Sequence, residues 1–170
     1  GGVVLAGAEK ELMEFARIMD IPVVITYMAK GAVSTDHPLY AGMPGIQCGN
    51  PMGNKTFLES DVVLAIGNRF TDRHTGALDV YRGDRRFIHI NVEPKEIGKI
   101  FQPDLGIVAD AKDAVGQLLA AAGRLGQQKG ASRVAGIPAE RERLKRKTDH
   151  DCVPINPHRV FGELNRAFGE

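Results

Sequence analysis

Val62-Val63-Leu64-Ala65-Ile66-Gly67-Asn68-Arg69-Phe70-Thr71-Asp72-Arg73-His74-Thr75-Gly76 is the stretch that decides the fold. Its first five residues are uninterrupted apolar and rich in β-branched types, the pattern of a strand buried on both faces. A glycine follows at once, where a backbone can approach a ligand closely, and two arginines come within seven residues of the strand end. Working outward, three more runs have the same character: residues 21–25, 87–90 and 105–108. Helical patterns lie between and beyond them. Leu12, Phe15, Ala16 and Met19 share one face of a helix, residues 50–60 read as a second around Phe57 and Leu58, and Val115, Leu118, Leu119 and Ala122 line a third with Asp110 as its N-cap. Apolar strands alternating with helices predict an α/β fold: a three-layer, Rossmann-like parallel sheet flanked by helices.

Composition agrees. The chain has 170 residues, 43% of them hydrophobic and 25% charged, an ordinary globular balance. A net charge of +1 excludes the strongly basic footprint of a dedicated nucleic-acid binder. No apolar run approaches the roughly 18 residues of a membrane span. Two cysteines, Cys48 and Cys152, exclude a disulfide scaffold and a four-cysteine zinc site. Both read as ordinary small residues, and a reducing cytoplasm is the expectation. The five histidines show no metal-ligand spacing, and neither a G-x-G-x-x-G fingerprint nor a Walker A loop is present. Residues 27–49 form a long irregular stretch of the kind that carries function. Residues 123–138 read as a linker, and 140–147 as a solvated, charge-rich helix face rather than a nucleic-acid patch, since no aromatic is interleaved. Asn156-Pro157 opens a last helix with Phe161, Leu164 and Phe168 on one side, which points to packing on another domain.

Ligands of open parallel sheets bind outside the carboxyl ends of the strands. Four such ends are on offer: Thr26-Tyr27-Met28, the turn from Gly67 to Gly76, Asn91-Val92, and Asp110-Ala111. Arg69 and Arg73 present guanidinium forks suited to a diphosphate. The alternative is that they pair with Asp61, Asp72 or Asp79 at the surface. Asn91 and Asp110 can bond a ribose or an adenine edge, and Asp110 can equally be only a helix cap. His89 reads as a sheet residue. The residues alone describe a nucleotide-binding module without visible catalytic machinery.

The run Gly67-Asn68-Arg69-Phe70 with Arg73-His74-Thr75-Gly76 resembles the central domain of thiamine-diphosphate enzymes of the acetolactate synthase group. Asn68, Thr71 and His74, together with Ala41-Gly42-Met43, Gly45-Ile46-Gln47, residues 103–108, Arg146-Lys147-Thr148, Val153-Pro154 and Asn165-Arg166-Ala167-Phe168-Gly169, are similar to its glyoxylate carboligase branch. The resemblance covers nearly the whole chain. It implies a central domain over residues 1–125 whose first strand is missing, and a basic linker and helix over 126–170 leading to a diphosphate-binding domain not present here. It implies FAD bound by this domain without a redox role, and thiamine diphosphate with Mg held by the pyrimidine- and diphosphate-binding domains. By motif, the FAD contacts fall on Gly1 and Gly2; Thr26, Tyr27 and Met28; Met43, Pro44 and Gly45; Gly67, Asn68, Arg69 and Arg73; Asn91 and Val92; and Asp110 and Ala111. The implied reaction of the parent is decarboxylation of glyoxylate and its condensation with a second glyoxylate to tartronate semialdehyde and CO2. This stretch alone is expected to be inactive, and the parent to be a homo-oligomer. Two alternatives remain: the equivalent domain of an acetolactate synthase or related 2-oxo-acid enzyme, and a structural or oligomerisation domain with a vestigial nucleotide site.

Overall fold

A computed structural model describes residues 1–46, 49–125 and 131–168. The readings of Gln47, Cys48, part of the 123–138 linker and Gly169 lie outside the described residues. The decisive stretch forms strand β1 (Val62–Ile66), followed in the sheet by β2 (Arg86–Asn91) and β3 (Leu105–Val108). They pair in parallel in the order β1-β2-β3, with Leu64 opposite Ile88 and Ile90 opposite Ile107. The expected parallel α/β architecture is therefore present.

The run at 21–25 departs from a full strand. Val23 makes a single parallel bridge to Tyr40, supported by Val23 N–H to Leu39 O at 2.8 Å and Ala41 N–H to Val23 O at 2.9 Å. Pro22 has no N–H to donate, and the tight 3-10 turn Tyr27–Ala29 ends the extended stretch after Thr26. Burial on both faces holds for the middle strand, where Phe87 and Ile90 are fully covered, while Leu105 and Val108 on the outer strand β3 are exposed.

Helices α1 (Gly2–Ala6), α2 (Glu9–Met19) and α6 (Ala111–Leu125) pack on one another. Gly7 and Asp20, both left-handed, terminate the first two, and Val115 of α6 is completely buried. Elsewhere Phe57, Phe70, Tyr81 and Phe87, with Phe101 against them, form an aromatic core. Phe57 stacks on Tyr81 at 4.4 Å and Phe70 meets Phe87 edge-on at 6.0 Å, geometries that add to simple area burial. This core joins α3 (Pro51–Leu58), α5 (Leu78–Arg82) and the sheet. Between β1 and α5 lies the single-turn helix α4 (Asp72–Thr75).

The tail does not run free. Ile137 of α7 (Ile137–Arg143) is buried with Ala41 and Met52. Arg141 Nη1 donates to the carbonyls of His37 and Tyr40 at 3.1 and 2.9 Å. Asp20 accepts from Ser132 Oγ and the Arg133 N–H. Glu140 is gripped by Lys55 and Arg143, and those bonds hold its carboxyl at about 2. The basic run thus divides: Arg141 buttresses the fold, while Lys145, Arg146 and Lys147 face solvent. Helix α8 (Pro157–Phe168) leaves Val160, Phe161, Leu164 and Phe168 exposed. Among the described residues no helix is long and apolar enough to cross a membrane.

Candidate functional site

The ends of the strands converge, and contacts link them into one rim. Gly1 lies against Met28, whose Cβ is 3.5 Å from where a Gly1 side chain would start. Gly2 packs backbone to backbone on Gly67: a Cβ on Gly2 would sit 2.7 Å from the Gly67 Cα, and one on Gly67 would sit 2.5 Å from the Gly2 Cα. Gly67 also has φ 59°, the left-handed region that favours glycine. Its N–H bonds to Ile90 O at 2.8 Å, tying the turn to β2. On the other side Gly45 abuts α4, with room for no Cβ beside His74 (2.9 Å to its Cα). Ala109 N–H bonds to Asn91 O at 3.1 Å, which sets Asp110 beside the end of β2.

The loop Met43–Gly45 is held by two asparagines of the α3 region. Asn50 Oδ1 caps α3 through the Gly53 N–H at 2.7 Å and also accepts from Met43 N–H at 3.4 Å. Asn54 Oδ1 accepts from Gly45 N–H at 2.8 Å, and its amide nitrogen donates to Gly45 O at 3.3 Å. Neither Asn50 nor Asn54 was among the residues the motifs singled out as site residues. The one linear signal is their i, i+4 spacing, which puts both on one side of a helix.

Arg69 and Arg73 are exposed, and among the described residues neither enters an ion pair. The pairing with Asp61, Asp72 or Asp79 that the sequence left open is not formed. In the segments that follow the other strand ends and the Met43–Gly45 loop, large apolar side chains stand in solvent: Tyr27 is 61% exposed, Met28 71%, Ile46 71% and Val92 68%. Thr26 caps the 3-10 turn through its carbonyl, which accepts from Ala29 N–H at 2.9 Å. Pro44 and Ala111 are buried beneath the rim.

Asn91 and Asp110 are already engaged. Asn91 donates to Asn68 O at 3.1 Å and accepts from Glu93 N–H at 3.1 Å, and the residue is buried. Asp110 Oδ1 caps α6 through the Lys112 N–H at 2.7 Å, as the sequence predicts. Two histidines lie under the turn. His89, buried in β2, donates from Nε2 to Asn68 O at 2.8 Å. His74 contacts Asn68 Nδ2 at 3.4 Å and Thr71 Oγ1 at 3.2 Å. Burial holds both imidazoles below their ordinary value, partly offset at His89 by the Asn68 carbonyl and the charge of Glu96. Among the described residues no cluster of metal-ligating side chains occurs.

The arrangement offers two exposed guanidinium groups in no ion pair among the described residues, half-buried glycine backbones, and an apolar fringe. It can hold a long anionic ligand with flat ring systems. Residues 1–118 match the family described as "Thiamine pyrophosphate enzyme, central domain". The chain is 45% identical to a glyoxylate carboligase of Escherichia coli O157:H7 over 99% of its length, and 38% identical to a probable acetolactate synthase large subunit of Methanocaldococcus jannaschii over all of it. It spans 29% of the length of each of these relatives. An acetolactate synthase large subunit of Corynebacterium glutamicum is 44% identical over 70% of the chain. With three parallel strands in order, helices around them and glycine turns gathered at the strand ends, this chain belongs to the thiamine pyrophosphate enzyme central-domain family.

Proposed function

We propose that the chain is the FAD-holding central domain of a thiamine-diphosphate-dependent carboligase that acts on glyoxylate. The observation that carries the flavin reading is the exposed Arg69 and Arg73, in no ion pair among the described residues, beside the Gly2–Gly67 backbone contact. The residues present fit a flavin dinucleotide. Arg69 and Arg73 match its diphosphate, Gly1, Gly2 and Gly67 admit it closely, and Tyr27, Met28, Ile46 and Val92 can cover its rings. Bound FAD serves this domain as a structural ligand without redox work. Thiamine diphosphate and Mg belong to the pyrimidine- and diphosphate-binding domains of the same protein, which acts in the cytoplasm as a homo-oligomer. In this division the chain of 1–125 is the nucleotide-binding unit, and residues 126–170 lead toward the diphosphate-binding domain.

The test is a titration of the full-length protein with FAD, with NAD and ADP as controls, followed by flavin fluorescence and heat. FAD-selective saturation is expected, and Arg69→Ala should weaken it roughly ten- to a hundredfold, the loss of a charge-assisted bond. Unaltered affinity in that variant would overturn the assignment. Turnover of glyoxylate in preference to pyruvate is the expected activity, and the reverse preference would place the protein with the acetolactate synthases. A second reading, a structural domain with a vestigial nucleotide site, draws on the exposed apolar face of α8, and it predicts no nucleotide binding at all.

A further inference from the structure

The turn that carries Arg69 is held by side chains that do not face the ligand side. Asn68 is the node. Its carbonyl accepts two bonds from β2, His89 Nε2 at 2.8 Å and Asn91 Nδ2 at 3.1 Å. Its Oδ1 accepts from Phe70 N–H at 2.9 Å. That bond fixes which way the amide points, so Nδ2 is the group that meets His74 Nε2 at 3.4 Å. The turn needs such support: Gly67 and Phe70 both have positive φ, 59° and 52°, and a bulky residue there is costly. Phe70 itself is locked edge-on against His89, with ring centroids 4.8 Å apart. The backbone between these two fixed points includes Arg69, and α4 with Arg73 follows directly.

The hydrogen-bond partners also set the protons. A carbonyl only accepts, so His89 carries its proton on Nε2. An amide nitrogen only donates, so His74 Nε2 is bare and its proton is on Nδ1, donated to Thr71 Oγ1. The two neighbouring imidazoles are thus opposite tautomers around one asparagine.

We propose that His89 and Asn91 are positioning residues: by clamping the Asn68 carbonyl from below they aim Arg69 and Arg73 at an anionic dinucleotide that neither of them touches. The inference rests on the flavin reading above and sharpens it, since it assigns the Asn91 side chain to the turn and leaves the ligand to the arginines. Both polar ends of that side chain are occupied within the protein. The same geometry explains why a histidine and, at the strand's end, an asparagine, rather than apolar residues, are buried in β2: the Asn68 carbonyl would otherwise be a poorly satisfied acceptor beneath the rim.

The experiment measures FAD affinity of the full-length protein in four variants. His89→Leu keeps apolar bulk and deletes the donor, and is expected to weaken binding up to about tenfold, the loss of one supporting bond. His89→Gln places an amide N–H where Nε2 was and should restore affinity to within about threefold of the wild type, by the same conversion. Asn91→Asp keeps the bond to the Glu93 N–H and turns a carboxylate on the Asn68 carbonyl, so it should weaken binding at least as much as His89→Leu. Val115→Ala, at a fully buried position of α6, removes none of the clamp's hydrogen bonds, lowers stability and should leave affinity unchanged. Nitrogen NMR of the imidazoles should show the Nε2–H form for His89 and the Nδ1–H form for His74. Wild-type affinity in His89→Leu, while Arg69→Ala binds weakly, would overturn the clamp and leave the flavin reading standing. Equal losses in His89→Leu, His89→Gln and Val115→Ala would reduce the effect to stability and also overturn it. The opposite tautomer at His89 would do the same without any ligand present. If the wild type binds no FAD, the flavin reading fails, and the clamp as a device for that ligand fails with it.

Discussion

Gly67 carries more constraints than any other single residue of the site. It ends a strand, takes a left-handed φ, and leaves no space for a Cβ beside the Gly2 Cα. Gly67→Ala should therefore destabilise the protein by about 1–3 kcal/mol from backbone strain alone and should reduce FAD affinity together with the urea midpoint. A variant with both values unchanged would show that Gly2 and Gly67 are not pressed together in solution. At this scale the sequence is legible where one residue type has one physical use. Asp110 before a helical stripe caps its helix as its local pattern says. The clamp on Asn68 was not legible. Its donors come from positions 21 and 23 residues further along, and nothing local distinguishes a histidine that supports a turn from one that fills a sheet.

Among the elements, the strands with partners on both sides or strong β-branched runs were read correctly, and the weak one was not. Residues 21–25 have the right composition, but a strand is made by its neighbours, and Val23 finds only Tyr40. The tail is the larger lesson. Its Gly- and Gln-rich composition reads as a linker, yet Ile137 is buried against Ala41 and Met52. One apolar residue after a loop gives too little periodicity to be seen in advance. Since Ile137 is buried, Ile137→Ala should cost about 2–5 kcal/mol and shift the urea transition as a single cooperative step. An unmoved midpoint would mean that α7 contributes nothing to the folding unit. Arg141 supports the same docking: its guanidinium bonds the His37 and Tyr40 carbonyls next to that apolar contact.

Over the whole molecule, acid should act through the two histidines under the turn. Burial holds His74 and His89 neutral in the fold, below the ordinary value of 6.5. The unfolded chain takes up protons first as pH falls past 6.5, so it gains relative to the native state. Stability is then complete above that pH and declines below it, until the folded values are also passed. Urea midpoints at a series of pH values between neutrality and mild acid should show the decline, and His89→Gln should flatten it; a flat wild-type profile would contradict burial of these groups. The same tail that closes on the fold has a further consequence during synthesis. Arg141 reaches back 101 residues to Tyr40. At about 5–20 residues per second the ribosome needs roughly 5–20 s to make that span. For that interval Ala41 and Met52 emerge without their cover, an apolar patch open to chaperones and to other nascent chains. Slowed translation between these two segments would lengthen the exposure, so the yield of native protein depends on the tempo of its synthesis as well as on its final stability.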